Sequence, residues 1–175
     1  LHAVIQVAMG WTNSHLHHFL TRDARYSDPH GYDDMGSDEE PDRDEHETAL
    51  MHVAPAEGDQ FGYEYDFGDS WEHAITVERI LAPGAAATAA LCLDGACACP
   101  PEDCGGIPGY AELLEALKDP KHPEHRSMQE WLGRPFDPHA FDLPKTNLWL
   151  RKLKWPRVTE AQLRKILMGR DGYRE

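Results

Sequence analysis

Residues Tyr63–His73 read YEYDFGDSWEH, and the conformation of this stretch decides the fold. Side chains along a strand alternate between two faces. If the chain reverses over Gly68, Asp69 and Ser70, then Phe67 faces Trp71, Tyr65 faces His73, Tyr63 faces Ile75 and Phe61 faces Val77. All of these fall on one face, while Glu64, Asp66, Glu72, Thr76 and Glu78 fall on the other. The pattern predicts a long β-hairpin over residues 60–81, apolar on one side and acidic on the other. A three-residue hairpin loop prefers glycine at its last position, where this chain has Ser70.

Working outward, Leu1, Val4, Ile5, Ala8 and Met9 have helical spacing, and Gly10 stops that helix. Residues 15–20 alternate and predict a short strand. Residues 23–47 carry eleven acids with few apolar anchors. Such a stretch buries too little surface to fold alone, which predicts a long mobile loop. A brief helix is expected at 48–54 and a small-residue linker at 83–90. Pro108 opens a helix bearing Leu113, Leu114 and Leu117, which Pro120 ends. A second runs over 124–132 and closes at Gly133. A helical turn is expected over 136–141, and Thr159 caps a last helix.

The 175 residues suit one domain with a proper core. Net charge is −14, and it is unevenly spread. From Lys145 onward nine Lys or Arg stand against three acids, so the tail is +6 and the body −20. A field that negative argues against nucleic acid and anionic membrane, and favours cations, a basic protein partner or the chain's own basic tail. No apolar run approaches the roughly 18 residues that cross a bilayer. Cys92, Cys97, Cys99 and Cys104, with no secretory signal at the start, fit a cytoplasmic, reduced setting. Leu1 opens the chain inside a helical pattern and without a Met, which suggests a gene fragment whose natural start is missing.

MGWTNSHLHHF, YEYDFGDSWEH, CPPEDCGGIPGY and FDPHAFD, in this order, resemble the plasmid pRiA4b ORF-3-like family over residues 1–150. The resemblance implies an α+β domain of unestablished activity, found on plasmids and mobile elements. With the elements above, this is an antiparallel sheet containing the long hairpin, packed against several short helices. Some members are labelled after a resolvase. That chemistry needs an activated serine with arginines around it, and the motifs supply none. Members begin with a further strand ahead of the first helix, ending in a Pro-x-x-Trp-Arg-like segment that this sequence lacks. Residues 151–175 form a basic extension outside the shared pattern.

Several residues bear chemistry. His15 and His17, two apart on a strand, would point to one face. Asp66 and Asp69 sit at the hairpin tip, with Glu72 and His73 just beyond, and Glu102 and Asp103 follow the stiff Pro100–Pro101 pair. If these sets meet, they form a mixed site for Zn, Mn or Fe that could activate water. The alternative is structural: aspartates bonding turn N–H groups, His73 in the core and an acid capping a helix. The cysteines are spaced C-x4-C-x-C-x4-C, unlike the paired C-x2-4-C of zinc loops, so buried thiols stand beside a zinc site as readings. Residues 105–109 (GGIPG) precede a helix but lack the Lys and Ser/Thr of a phosphate loop. Trp11, Trp71 and Trp131 either line a pocket or fill the core.

The candidate ligand-binding set is therefore Trp11, His15, His17, Tyr65, Asp66, Asp69, Trp71, His73, Glu102 and Asp103. The candidate metal ligands are His15, His17, Asp69, His73, Cys92, Cys97, Cys99 and Cys104. A module binding a small molecule or basic protein is the expected function. A metal-dependent hydrolase and a DNA-associated accessory protein are the alternatives.

Overall fold

A computed structural model of the chain describes residues 1–31, 42–81 and 90–153. In chain order the elements are α1 (His2–Met9), β1 (His17–Leu20), β2 (Arg25–Ser27), β3 (Arg43–Asp44), α2 (Leu50–Val53), β4 (Gln60–Tyr65), β5 (Trp71–Thr76), α3 (Gly106–Lys118), α4 (His125–Leu132) and α5 (Leu143–Leu150). This is an α+β chain. Among the described residues the strands form one sheet in the order β3-β2-β1-β4-β5. It is mixed, because β2 and β3 pair in parallel while β1 is antiparallel to both β2 and β4. Among the same residues no helix is long and apolar enough to cross a membrane.

The described residues divide into two compact units. The first combines 1–15, 66–71 and 90–153; the second combines 16–31, 42–65 and 72–81.

The second unit holds most of the sheet. Phe19, Phe61, Tyr63 and Tyr65 are buried at alternate positions of β1 and β4, as the hairpin pattern requires. Phe19 lies opposite Tyr63 and Tyr26 in the two ladders, its ring centroid 5.0 Å from that of Tyr63. Burying each such ring contributes about 2 kcal/mol. The alternation is as expected, but the register differs. The turn spans Asp66–Ser70, because β4 ends at Tyr65 and β5 begins at Trp71. Tyr63 therefore meets His73 rather than Ile75, with ring centroids 5.5 Å apart, and the Val77 N–H donates to the Asp59 carbonyl at 2.9 Å. A shift of two residues leaves each side chain on its own face, since the strand period is two. It also moves Phe67 out of the ladder and into the turn, where it is exposed.

Both ends of the acidic stretch 23–47 are strands rather than loop; its middle, 32–41, lies outside the described residues. An acid count overlooks Arg25 and Arg43. Arg25 Nε pairs with Asp42 Oδ1, and the Arg43 guanidinium stands 5.8 Å from the centroid of the Tyr26 ring. Buried Tyr26 supplies the apolar anchor.

The first unit holds the longer helices. In α1, Gly10 at φ 86° ends the helix with its N–H on the Gln6 carbonyl at 2.8 Å. Leu113 and Ala116 of α3 are buried, and His125 Nδ1 at the start of α4 lies 2.8 Å from the Ala116 carbonyl. Gly133 closes α4 at φ 64°, as expected. Residues 136–141 hold a single hydrogen-bonded turn instead of a helix, with Ala140 N–H on Asp137 O at 3.2 Å. The sequence reading did not anticipate α5. Asp142 caps it by accepting from Lys145 N–H at 2.9 Å, Pro144 sits in its first turn, and Leu150 is buried. Asn147 of α5 holds the cysteine loop through two bonds to the Cys92 backbone, at 2.8 and 2.9 Å. The expected linker 83–90 falls almost wholly outside the described residues, as does the expected helix capped by Thr159.

Candidate functional site

In the first unit, Trp11 anchors the segment that follows α1. Its ring is buried 6.4 Å from that of Trp71, and its Nε1–H donates to the Pro100 carbonyl at 3.1 Å. Trp71 meets Tyr110 edge-on, and Tyr110 meets Phe136 edge-on. This run of rings lays residues 12–15 beside the Pro100–Pro101 loop. Thr12 then grips Glu102, its N–H and Oγ1–H both donating to Oε1 at 2.7 and 3.0 Å. That leaves Oε2 facing His15.

The hairpin tip enters the same place. Asp66 sits in the left-handed region at φ 58°, which Asp tolerates better than most residues. Its Oδ1 accepts from Gly68 N–H at 3.0 Å and Asp69 N–H at 3.3 Å, and its carbonyl accepts from Ser70 N–H at 2.6 Å. These bonds set the early turn and leave Oδ2 for other work. Asp69 Oδ2 accepts from Gly105 N–H at 3.1 Å, just ahead of α3, where a negative charge is favoured. Glycine is required here for space: a Cβ on Gly106 would stand 2.6 Å from the Asp69 carbonyl oxygen, and one on Gly109 would stand 2.0 Å from that of Cys104. Backbone is pressed on backbone, so the tip and residues 103–109 hold a fixed spacing. Asp103, at φ 56°, ends the loop.

The outcome is one imidazole facing three carboxylates. His15 Nε2 lies 3.1 Å from Asp103 Oδ1, 3.5 Å from Asp66 Oδ2 and 3.8 Å from Glu102 Oε2. One donor atom each from His15, Asp66 and Asp103 fits within 4.8 Å. The Asp66 side chain is 10% exposed, whereas that of Asp103 is 70% exposed and opens the corner to solvent. Two carboxylates about 4 Å apart repel by roughly 4 kcal/mol at an effective dielectric of 20, and by less where one meets water. The neighbouring thiols sense this field. Burial pushes Cys104 up to about 11, helped by the charges of Asp69, Asp103 and Asp66. Burial pushes Cys99 up to about 12, helped by Glu102 and Cys104.

Residues 1–145 match the family described as plasmid pRiA4b ORF-3-like protein. The chain belongs to the plasmid pRiA4b ORF-3-like family. It is similar to the uncharacterized protein y4hQ of Sinorhizobium fredii, with 39% identity over 160 residues, covering 90% of this chain and 80% of that one. It is also similar to the crystal structure of a protein of unknown function, MM3350, from Methanosarcina mazei. There the TM-score is 0.66 at 31% identity, over 82% of this chain and 79% of the other. By their descriptions these relatives carry no assigned activity, and the biochemical activity of this pRiA4b ORF-3-like domain is unknown.

In this pRiA4b ORF-3-like chain the sequence-derived set comes together only in part. His15, Asp66, Glu102 and Asp103 converge, and Asp69 supports them from the turn. His15 and His17 are not two positions of one strand, because β1 begins only at His17, and the two meet different carboxylates. His17 lies in the second unit, its Nε2 2.8 Å from Glu45 Oε2 and its ring beside Phe19 and Tyr63. His73 Nδ1 lies 3.3 Å from the Tyr63 carbonyl. Trp11, Tyr65 and Trp71 are core rings. The four cysteines are free thiols, and none joins a group of three or more converging potential metal ligands among the described residues.

Sequence reasoning passed over Thr12, Glu45 and the His18–Glu64 pair. His18 and Glu64 are direct cross-strand partners with Nε2 and Oε2 2.9 Å apart, a signal available once β1 is paired with β4. Burial holds the His18 imidazole below its usual value, against the opposing pull of Glu64.

Proposed function

We propose that this chain is a binding module that takes a cationic group at the His15 corner. One observation carries the reading: three carboxylates converge on a single imidazole, each within 4 Å of His15 Nε2, and so gather negative charge at one corner. The −20 body adds a long-range field that draws cations toward it. Backbone contacts at Gly106 and Gly109 preorganise the carboxylates, which lowers the cost of binding. The reading includes a cytoplasmic setting, which four free thiols suit.

The test is a titration of isotope-labelled protein, followed by NMR, with spermidine, an arginine-rich peptide and divalent metal chlorides. Saturable shifts centred on His15 and Asp103, lost in an Asp66→Asn/Asp103→Asn variant, are expected for at least one cation. Absence of a saturable response to all of them would sink the reading.

A further inference from the structure

We infer that the cation is a divalent transition metal, held by His15 Nε2, Asp66 Oδ2 and Asp103 Oδ1, with Glu102 Oε2 accepting a hydrogen bond from a metal-bound water. The inference rests on the cation-binding reading and narrows it. Ligand atoms bound to Zn²⁺ at about 2.1 Å stand roughly 3.0–4.2 Å from one another. The 3.1 and 3.5 Å separations of His15 Nε2 from the two aspartate oxygens are of that size, and all three atoms lie within 4.8 Å of one another. An arginine or ammonium group would instead need room for its own hydrogen atoms between donor and acceptor. The donor set also selects among metals. An imidazole nitrogen with carboxylate oxygens suits Zn, Mn or Fe, whereas Mg and Ca prefer oxygen alone.

The ligands are supported from behind. Asp66 turns Oδ2 to the corner because Gly68 and Asp69 N–H groups hold Oδ1. Glu102 turns Oε2 to it because Thr12 holds Oε1. Such outer bonds orient metal ligands in known sites. Three protein ligands leave coordination positions open, and the exposed Asp103 side chain shows where water or a ligand group would enter.

The full chain, freed of metal by chelation and dialysis, would be titrated calorimetrically with Zn²⁺ and Mn²⁺, and with Mg²⁺ as control. One saturable Zn²⁺ or Mn²⁺ site per chain is expected, with binding weakened at least ~100-fold by His15→Ala and roughly 10–100-fold by Asp103→Asn. Circular dichroism checks that each variant is folded. Asp103 is exposed and Asn also tolerates a left-handed backbone, so this second variant keeps the test sound if His15→Ala unfolds. Metal binding undiminished in either folded variant overturns the inference. If spermidine or the arginine-rich peptide binds, sensitive to Asp66→Asn/Asp103→Asn, while Zn²⁺ and Mn²⁺ do not, the metal falls and the cation-binding reading stands. If no cation binds, both fall.

Discussion

The two units use the same residue types in different proportions. In the second, two imidazoles of β1 each face a carboxylate one to one: His17 with Glu45 and His18 with Glu64, at 2.8 and 2.9 Å. These side chains are largely buried, and His17 is packed among rings. Each pair matches one imidazole to one carboxylate within packed surroundings. In the first unit one imidazole serves three carboxylates, the most exposed of which faces water. Stoichiometry and solvent access, not residue type, separate a packing device from a candidate binding site.

The contrast gives expectations of opposite sign. The largest effect is at the backbone contact that spaces the corner. Gly109→Ala is expected to cost about 3 kcal/mol, because its Cβ would overlap the Cys104 carbonyl, and urea unfolding reads the loss. Next, Glu45→Ala removes the carboxylate from buried His17 and should cost about 2 kcal/mol in the same assay. Asp103→Asn should instead leave stability unchanged or raise it by up to about 1 kcal/mol, since it relieves repulsion at an exposed position. A clear loss there, or none at Glu45, would break the contrast.

Acid should act on the second unit through His18. Its folded-state value lies below the ordinary 6.5, so the unfolded chain takes up the proton first. Stability is therefore present above pH 6.5 and declines as pH falls through it, and His18→Gln should flatten that decline in a pH series of unfolding curves. The smallest effect is in thiol chemistry. Exposed Cys97 should alkylate before Cys99 and Cys104, whose values of about 12 and about 11 keep them protonated. Asp66→Asn/Asp103→Asn should speed Cys104 alkylation, measured by peptide mass spectrometry, because two of the charges that raise it are gone.

Alternation made the rings of β4 legible in the sequence, and glycine punctuation marked the ends of α1 and α4. The turn was harder to place. Phe67 looked like one more inward ring, but the Asp66 side chain binds the N–H groups of Gly68 and Asp69 and so starts the turn before it. Helix α5 carried readable signals in Asp142 and Pro144, yet its short apolar run hid them. In the acidic stretch, charge masked two arginines and Tyr26, which suffice for strand pairing. At the candidate site the residue types were readable and their grouping was not. Separating His15 from His17 depends on where β1 begins, and joining His15 to Asp103 depends on Trp11 meeting Pro100, a contact across 89 positions.

That long span has a consequence for synthesis. Thr12 and Glu102 are 90 positions apart in the chain. A ribosome adding about 5–20 residues per second needs roughly 5–20 s to cover that interval. Throughout it Trp11 has no Pro100 carbonyl to meet and Thr12 has no carboxylate to hold. An early part of the first unit is thus completed by a loop made 90 positions later, and the nascent chain must keep a tryptophan waiting in the meantime.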